Sequence, residues 1–132
     1  MIFVDSSFWI AAQVSRDQHH GEAVAMLRRL GEERLVTSNH VRGETWTFLR
    51  RRAGHKAAVA FLDVLSRTQR LTVYSVPPTA EEEALLWLRQ HDERAYSFID
   101  ATSFAVMRDL RVRRALAFDG DFTAAGFQEL RP

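Results

Sequence analysis

The chain has no cysteine, which excludes both a disulfide scaffold and any zinc site built from thiolates. It has only 3 prolines and 6 glycines, with no internal repeat, low-complexity stretch or Gly/Ser linker, so nothing divides its 132 residues into separate units. No Gly-x-Gly-x-x-Gly loop is present, which argues against a dinucleotide-binding module. Lysine is almost missing: Lys56 is the only one, and a phosphoacceptor receiver domain would need a lysine late in the chain. There is also no membrane or export signal. Met1 to Val14 is apolar but has no Lys or Arg before the run and carries Asp5 inside it, so a cytoplasmic location and no membrane partner are expected.

What is there is a 46% hydrophobic, 11% aromatic composition, sufficient for one core and one domain over residues 1–132. Ile2 to Val4 reads as a buried strand, followed by Ser6-Ser7 as helix-starting residues and a helix through Phe8 to Ala12. Ala23, Met26, Leu27 and Leu30 form the stripe of an amphipathic helix. Leu35 to Thr37 is a second strand, Ser38-Asn39 the cap of the helix carrying Glu44, and Gly54 the break before a helix with Ala57, Ala58, Phe61, Leu62 and Leu65 on one face. Leu71 to Tyr74 is a third strand. A helix opens at Glu81-Glu82-Glu83, another spans Ser97 to Leu110, Ala115 to Phe118 is a fourth strand, and Phe127 to Leu130 a short edge strand. Alternating strands and helices imply a parallel sheet of four to five strands with helices on both faces.

Five acids stand where a strand yields to a helix or where a helix begins: Asp5, Glu44, Asp100, Asp119 and Asp121. In an open parallel sheet the carboxyl ends of the strands share one edge, so acids far apart in sequence can meet there. Each has a structural explanation on its own, Asp5 and Asp121 as caps, Asp100 at a helix start, Glu44 on a helix surface, Asp119-Gly120 as a turn. Together they do not. Two carboxylates about 4 Å apart repel by roughly 4 kcal/mol at an effective dielectric near 20, whereas a cap returns only about 1 kcal/mol. An oxygen-liking divalent ion removes that repulsion, and a site of carboxylates without thiolates suits Mg²⁺, with Mn²⁺ as substitute.

Four segments, Val4-Asp5-Ser6-Ser7, Arg42-Gly43-Glu44-Thr45, Ser97-Phe98-Ile99-Asp100-Ala101-Thr102 and Ala117-Phe118-Asp119-Gly120-Asp121-Phe122, resemble in order the motifs of a PIN domain, and most of all those of the VapC toxins of toxin–antitoxin modules. The likeness runs over essentially the whole chain. It implies a three-layer α/β/α fold with a five-stranded parallel sheet and a Mg²⁺-dependent endoribonuclease. By position Asp5, Glu44 and Asp100 match three family acids and Asp119 the fourth. Asp5, Asp100 and Asp119, with Glu44 as a further candidate, would hold one or two ions that polarise the scissile phosphate and activate a water for in-line attack, leaving a 5′ phosphate and a 3′ hydroxyl. Ser6 matches the small hydroxyl residue beside the first Asp that supports the site, and Asp121 would be an accessory or alternate ligand. The resemblance also implies a VapB-type antitoxin whose C-terminal segment lies across the acidic groove, and a homodimer.

Asp119 stands directly after the apolar strand, at the edge where Asp5 also emerges, so Asp119 is expected at the metal and Asp121 as a cap of the turn at Phe122 or on a metal-bound water. Arg50-Arg51-Arg52 are candidates for phosphate contact, although arginines at a helix end also favour its dipole. Asp17-Gln18-His19-His20 looks like a metal tract, but neighbouring histidines on a helix diverge by about 100°, and helix packing explains it better. Trp9, Trp46 and Trp87 occupy apolar helical positions and are expected in the core. The alternatives are a PIN-fold protein that binds RNA or a partner without cleaving, and a PIN nuclease outside a toxin–antitoxin module. An aspartyl phosphatase would need Asp-x-Asp where Asp5-Ser6-Ser7 stands.

Overall fold

The run Ile2-Phe3-Val4 has no polar alternation because it lies at the middle of a sheet covered on both faces. In the computed structural model, which describes residues 1–132, it forms β1 (Ile2–Val4), and all three residues are fully buried. Helices α1 (Ser6–Gln13) and α2 (His20–Leu30) lead to β2 (Leu35–Ser38), and α3 (Asn39–Ala53) and α4 (His55–Arg67) lead to β3 (Leu71–Tyr74). Then α5 (Pro78–Gln90) and α6 (Phe98–Leu110) lead to β4 (Arg114–Leu116), and the short α7 (Asp121–Ala124) precedes β5 (Gln128–Glu129).

The five strands are all parallel and lie in the order β3-β2-β1-β4-β5. The expected α/β/α architecture with a parallel sheet is therefore the one that forms. The chain winds outward from β1 to β3, then crosses back to place β4 on the other side of β1. That reversal makes the carboxyl ends of β1 and β4 the switch point of the sheet, the place where such folds open a crevice.

The core is aromatic at its centre: Phe3, Phe8, Phe61, Phe104 and Phe122 are all fully buried. Trp9 lies in it, and Trp87 packs edge-on to Tyr96 and Phe104 with ring centroids at 4.7 and 5.1 Å. On α3 and α4, Leu49, Phe61 and Leu65 are core residues, Phe48 is half-buried and Leu62 is exposed. The most exposed leucines are Leu85 and Leu86 on α5.

Two local expectations are corrected. Strand β4 ends at Leu116 rather than Phe118, because the Ala117 carbonyl accepts from Arg131 at 2.7 Å and the Phe118 amide donates to Ser7 Oγ at 3.0 Å, so neither group continues the ladder. Only Ser38 caps α3, by accepting from the Val41 amide at 3.1 Å. Asn39 instead receives the Val76 amide at 2.9 Å and fixes the loop after β3.

Candidate active site

Asp5 leaves β1 at the switch point and its amide still donates to the Leu116 carbonyl at 3.0 Å, so it sits beside the end of β4. One carboxylate oxygen, Oδ2, caps α1 by accepting from the Ser7 amide at 3.2 Å and from Ser7 Oγ at 2.8 Å. The other, Oδ1, is buried with no hydrogen-bond partner. Only 1% of the residue is exposed, and burial first, then the Asp119 charge, pushes the carboxyl up to about 7. A cap needs one acceptor and no charge, so capping does not account for a buried carboxylate with an empty oxygen.

Asp100 is held by a purely local device. The Ser97 hydroxyl accepts from the Asp100 amide and Asp100 Oδ2 accepts from the Ser97 amide, both at 2.9 Å, a capping box that opens α6. Burial, together with the Asp121 charge, raises its carboxyl above the ordinary range.

Asp119 and Asp121 come together by a different route. Strand β4 has already ended, and Gly120 takes the left-handed conformation at φ 82°, which turns the chain between them. Their carboxylates therefore converge. Asp100, Asp119 and Asp121 each offer an oxygen within 4.8 Å of the others. The expected division, with Asp119 at the metal and Asp121 apart from it, does not match this geometry. Asp121 is not a cap either: Asp119 Oδ1 accepts from the Asp121 amide at 3.1 Å, and the turn's remaining amides, Gly120 and Thr123, donate to Glu129 at 3.3 and 2.9 Å. Asp121 Oδ1 receives Arg94 Nε at 2.9 Å, and Arg94 also reaches the Asp119 carbonyl at 3.2 Å. Asp119 is exposed as a residue, yet partial desolvation of its carboxyl, with Asp121, Asp100 and Glu129 nearby, raises it to about 6.

Glu44 lies on α3, half-buried, outside the tight triad. Desolvation raises its carboxyl, the Ser6 hydroxyl partly offsets this, and the Asp100 charge adds to it, which places Glu44 on the Asp100 side of the cluster. The hydroxyl bonded to Asp5 is that of Ser7, and that of Ser6 bears on Glu44. Of the Arg50-Arg51-Arg52 run on α3, Arg51 and Arg52 line a groove of about 480 Å³ with Glu44, Thr47, Phe48 and Ile99, and Arg52 sits 5.4 Å from the Phe48 ring. Arg50 is not part of that groove. His20 Nδ1 is bonded to the Ala11 carbonyl at 2.7 Å and His19 Nδ1 to Glu22 at 3.1 Å, so the Asp17-to-His20 tract brings no histidine pair together.

Sequence reasoning read Ser7, inside the first recognised segment, only as a helix-starting residue, and passed over Arg94, Glu129 and Arg131. These three owe their place to contacts across 25, 9 and 14 residues, which no local pattern reveals.

The donor set fits a divalent cation. Three carboxylates converge, a fourth has a buried oxygen with no partner, and every candidate ligand is a hard oxygen of the kind Mg²⁺ and Mn²⁺ take.

The fold and this acidic edge define the class of protein. The PIN-domain family model matches residues 2–128, and the chain belongs to the PIN-domain family. Among curated relatives it is 53% identical over 135 aligned positions to the proteins named 23S rRNA-specific endonuclease VapC20 in two strains of Mycobacterium tuberculosis, covering 100% of this chain and 99% of theirs. The crystal structure of Mycobacterium tuberculosis VapC20, described as a Sarcin-Ricin loop cleaving toxin, is similar with a TM-score of 0.94 and 51% identity, and each chain covers 100% of the other.

Proposed function

We propose that the chain is a Mg²⁺-dependent endoribonuclease, the toxin of a VapBC-type module, made of one PIN-like domain over residues 1–132. The observation that carries this reading is the buried Asp5 carboxylate with a partnerless oxygen beside the Asp100–Asp119–Asp121 triad, an arrangement that costs stability unless a cation is bound there. The full-length likeness to a ribosomal RNA endonuclease supports RNA as the substrate, and the sarcin–ricin loop of 23S rRNA as the first RNA to test.

In this reading Asp5, Asp100 and Asp119 hold the ion, with Asp121 drawn in by the Gly120 turn and Glu44 at its Asp100 side. A bound divalent ion supplies electrophilic stabilisation of the scissile phosphate and a more acidic water. The chain's own residues do the rest. Ser7 fixes the orientation of Asp5, Ser97 that of Asp100, and Arg94 that of Asp121. Arg51 and Arg52, in the groove beside Glu44, neutralise flanking phosphates, with Arg50 contributing to the general field. The same groove is where the C-terminal segment of a VapB-type antitoxin would lie. Leu85 and Leu86 on α5, 51% and 62% exposed, offer apolar surface for a homodimer. No helix is long and apolar enough to cross a membrane, and a cytoplasmic location is part of the proposal.

The test is cleavage of a sarcin–ricin-loop RNA by the purified protein with Mg²⁺, Mn²⁺ or a chelator. Metal-dependent cutting that leaves a 5′ phosphate and a 3′ hydroxyl is expected. A 2′,3′-cyclic phosphate, or cutting that survives chelation, would overturn the mechanism.

A further inference from the structure

Beside Asp119, and sharing Phe48 with the Glu44 groove, lies a second hollow of about 290 Å³ whose walls include Ser7, Gln18, His19, Phe48, Phe118 and Asp119. Its size is below the roughly 300–1,000 Å³ of a cleft for a drug-sized ligand, and fits one flat ring system. Its most unusual wall is His19. The ring lies parallel to Phe118, with centroids 4.4 Å apart and planes 3° from coplanar. Phe118 stacks in turn on the fully buried Phe8 at 5.7 Å and carries the Arg131 guanidinium at 5.1 Å. The His19 backbone amide donates to Asp17 Oδ1 at 2.8 Å, and its Nδ1 is paired with Glu22 at 3.1 Å. The ring is thus held by Phe118 and Glu22 and its backbone by Asp17, while 33% of the side chain remains exposed.

Helix architecture does not account for this. His19 stands at the N-cap of α2 but its side chain makes no capping bond, and a serine or aspartate would cap better. A fixed, partly open aromatic face loses little conformational freedom when another flat group stacks on it. Gln18, exposed next to it, carries both a donor and an acceptor with which to read a ring edge. The position is equally telling, since the hollow shares Asp119 with the acidic cluster and Ser7 with the mount of Asp5.

We propose that this hollow seats one unpaired nucleobase of the RNA, from a nucleotide flanking the scissile phosphate, with His19 as its stacking platform and Gln18 reading its edge. The pocket rests on the endoribonuclease reading above. Recognition of RNA by stacking on splayed-out bases gives a flat ring at this place a use.

The experiment uses metal-free protein and single-stranded RNA carrying 2-aminopurine at each position in turn around the cut. For the wild type, fluorescence should be quenched on binding at one position next to the cut. His19→Ala should remove that quenching and weaken binding roughly tenfold, within the range for loss of one base–aromatic stack. His19→Phe should restore both, and Gln18→Ala should keep the quenching while levelling the preference among bases. Melting curves check folding, and His19→Gln, which covers Phe118 without an aromatic face, replaces His19→Ala if that variant does not fold. An unchanged quenching pattern in His19→Ala, or loss in His19→Phe as well, overturns the pocket. If wild-type protein binds and cuts no RNA at all, the endoribonuclease reading falls first and the pocket with it.

Discussion

Asp100 and the Asp119–Asp121 turn deliver carboxylates to the same few ångströms by opposite means. Asp100 is set by its own helix: the capping box with Ser97 fixes its position within four residues of sequence. Asp119 and Asp121 are set by distant partners, Arg94 from the loop after α5 and Glu129 from the edge strand, with Gly120 allowing the turn. The first arrangement tolerates change elsewhere in the chain. The second depends on several remote contacts at once, so the two halves of one site should respond differently to mutation.

The largest effect is expected at Asp100. Asp100→Asn keeps an oxygen for the Ser97 amide and should retain the fold, yet cleavage should fall more than the roughly 100-fold at the upper end for residues that only support a metal ligand. Asp100→Ala should also lose the return bond from the Ser97 amide, and about 1 kcal/mol of stability with it, while the Ser97 hydroxyl still caps α6. A matched pair of melting and single-turnover measurements separates the two. Equal melting temperatures for both variants would show that the return bond contributes nothing.

On the other half of the site, Asp119→Asn and Asp121→Asn should both reduce cleavage, and by amounts within about tenfold of each other, because both oxygens belong to the same triad. This replaces the expectation of a dominant Asp119. A hundredfold gap between them would restore it. Arg94→Ala, which touches no substrate in this reading, should cost roughly tenfold in activity by freeing the turn. Its melting temperature should hardly move, since ion pairs this exposed contribute about 1 kcal/mol or less. A loss of stability without loss of activity would make Arg94 a structural tether only.

The smallest effect is one of pH. The Asp5 and Asp119 carboxyls are raised to about 7 and about 6, so between the ordinary carboxylate range and these values the folded protein holds protons that the unfolded chain has released. Their contribution to stability is therefore fully present below about pH 4 and is lost as pH rises through 6 to 7. Metal-free protein should show this decline, Asp5→Asn should flatten it, and millimolar Mn²⁺ should oppose it by binding the folded state. Thermal melts across pH 4 to 8 with and without metal provide the check. A decline of the same size in Asp5→Asn would assign it to other groups.

Asp100 was legible as an acid in the first turn of a helix, although Ser97, read as part of that helix, proves to be its cap. Asp5 was legible as the end of an apolar strand. The mutual position of Asp119 and Asp121 was not, because the turn between them is fixed by the left-handed Gly120 and by the remote partners Arg94 and Glu129. Which of Ser6 and Ser7 bonds Asp5 was not legible either, since adjacent hydroxyls differ only in which way the first turn of α1 aims them.

By itself, then, the sequence determined the alternation of strands and helices, the parallel sheet and the set of acids at its edge, since these follow from hydrophobic period, capping residues and the order of short motifs, all read within a few residues. The tertiary structure decided which oxygens meet, which carboxyls bear the cost of burial, and that Arg94, Glu129 and a stacked His19 stand around them. Charge repulsion, desolvation and ring stacking act through distance in space, and the chain between Arg94 and Asp121 carries no local trace of the 2.9 Å that separates them when folded.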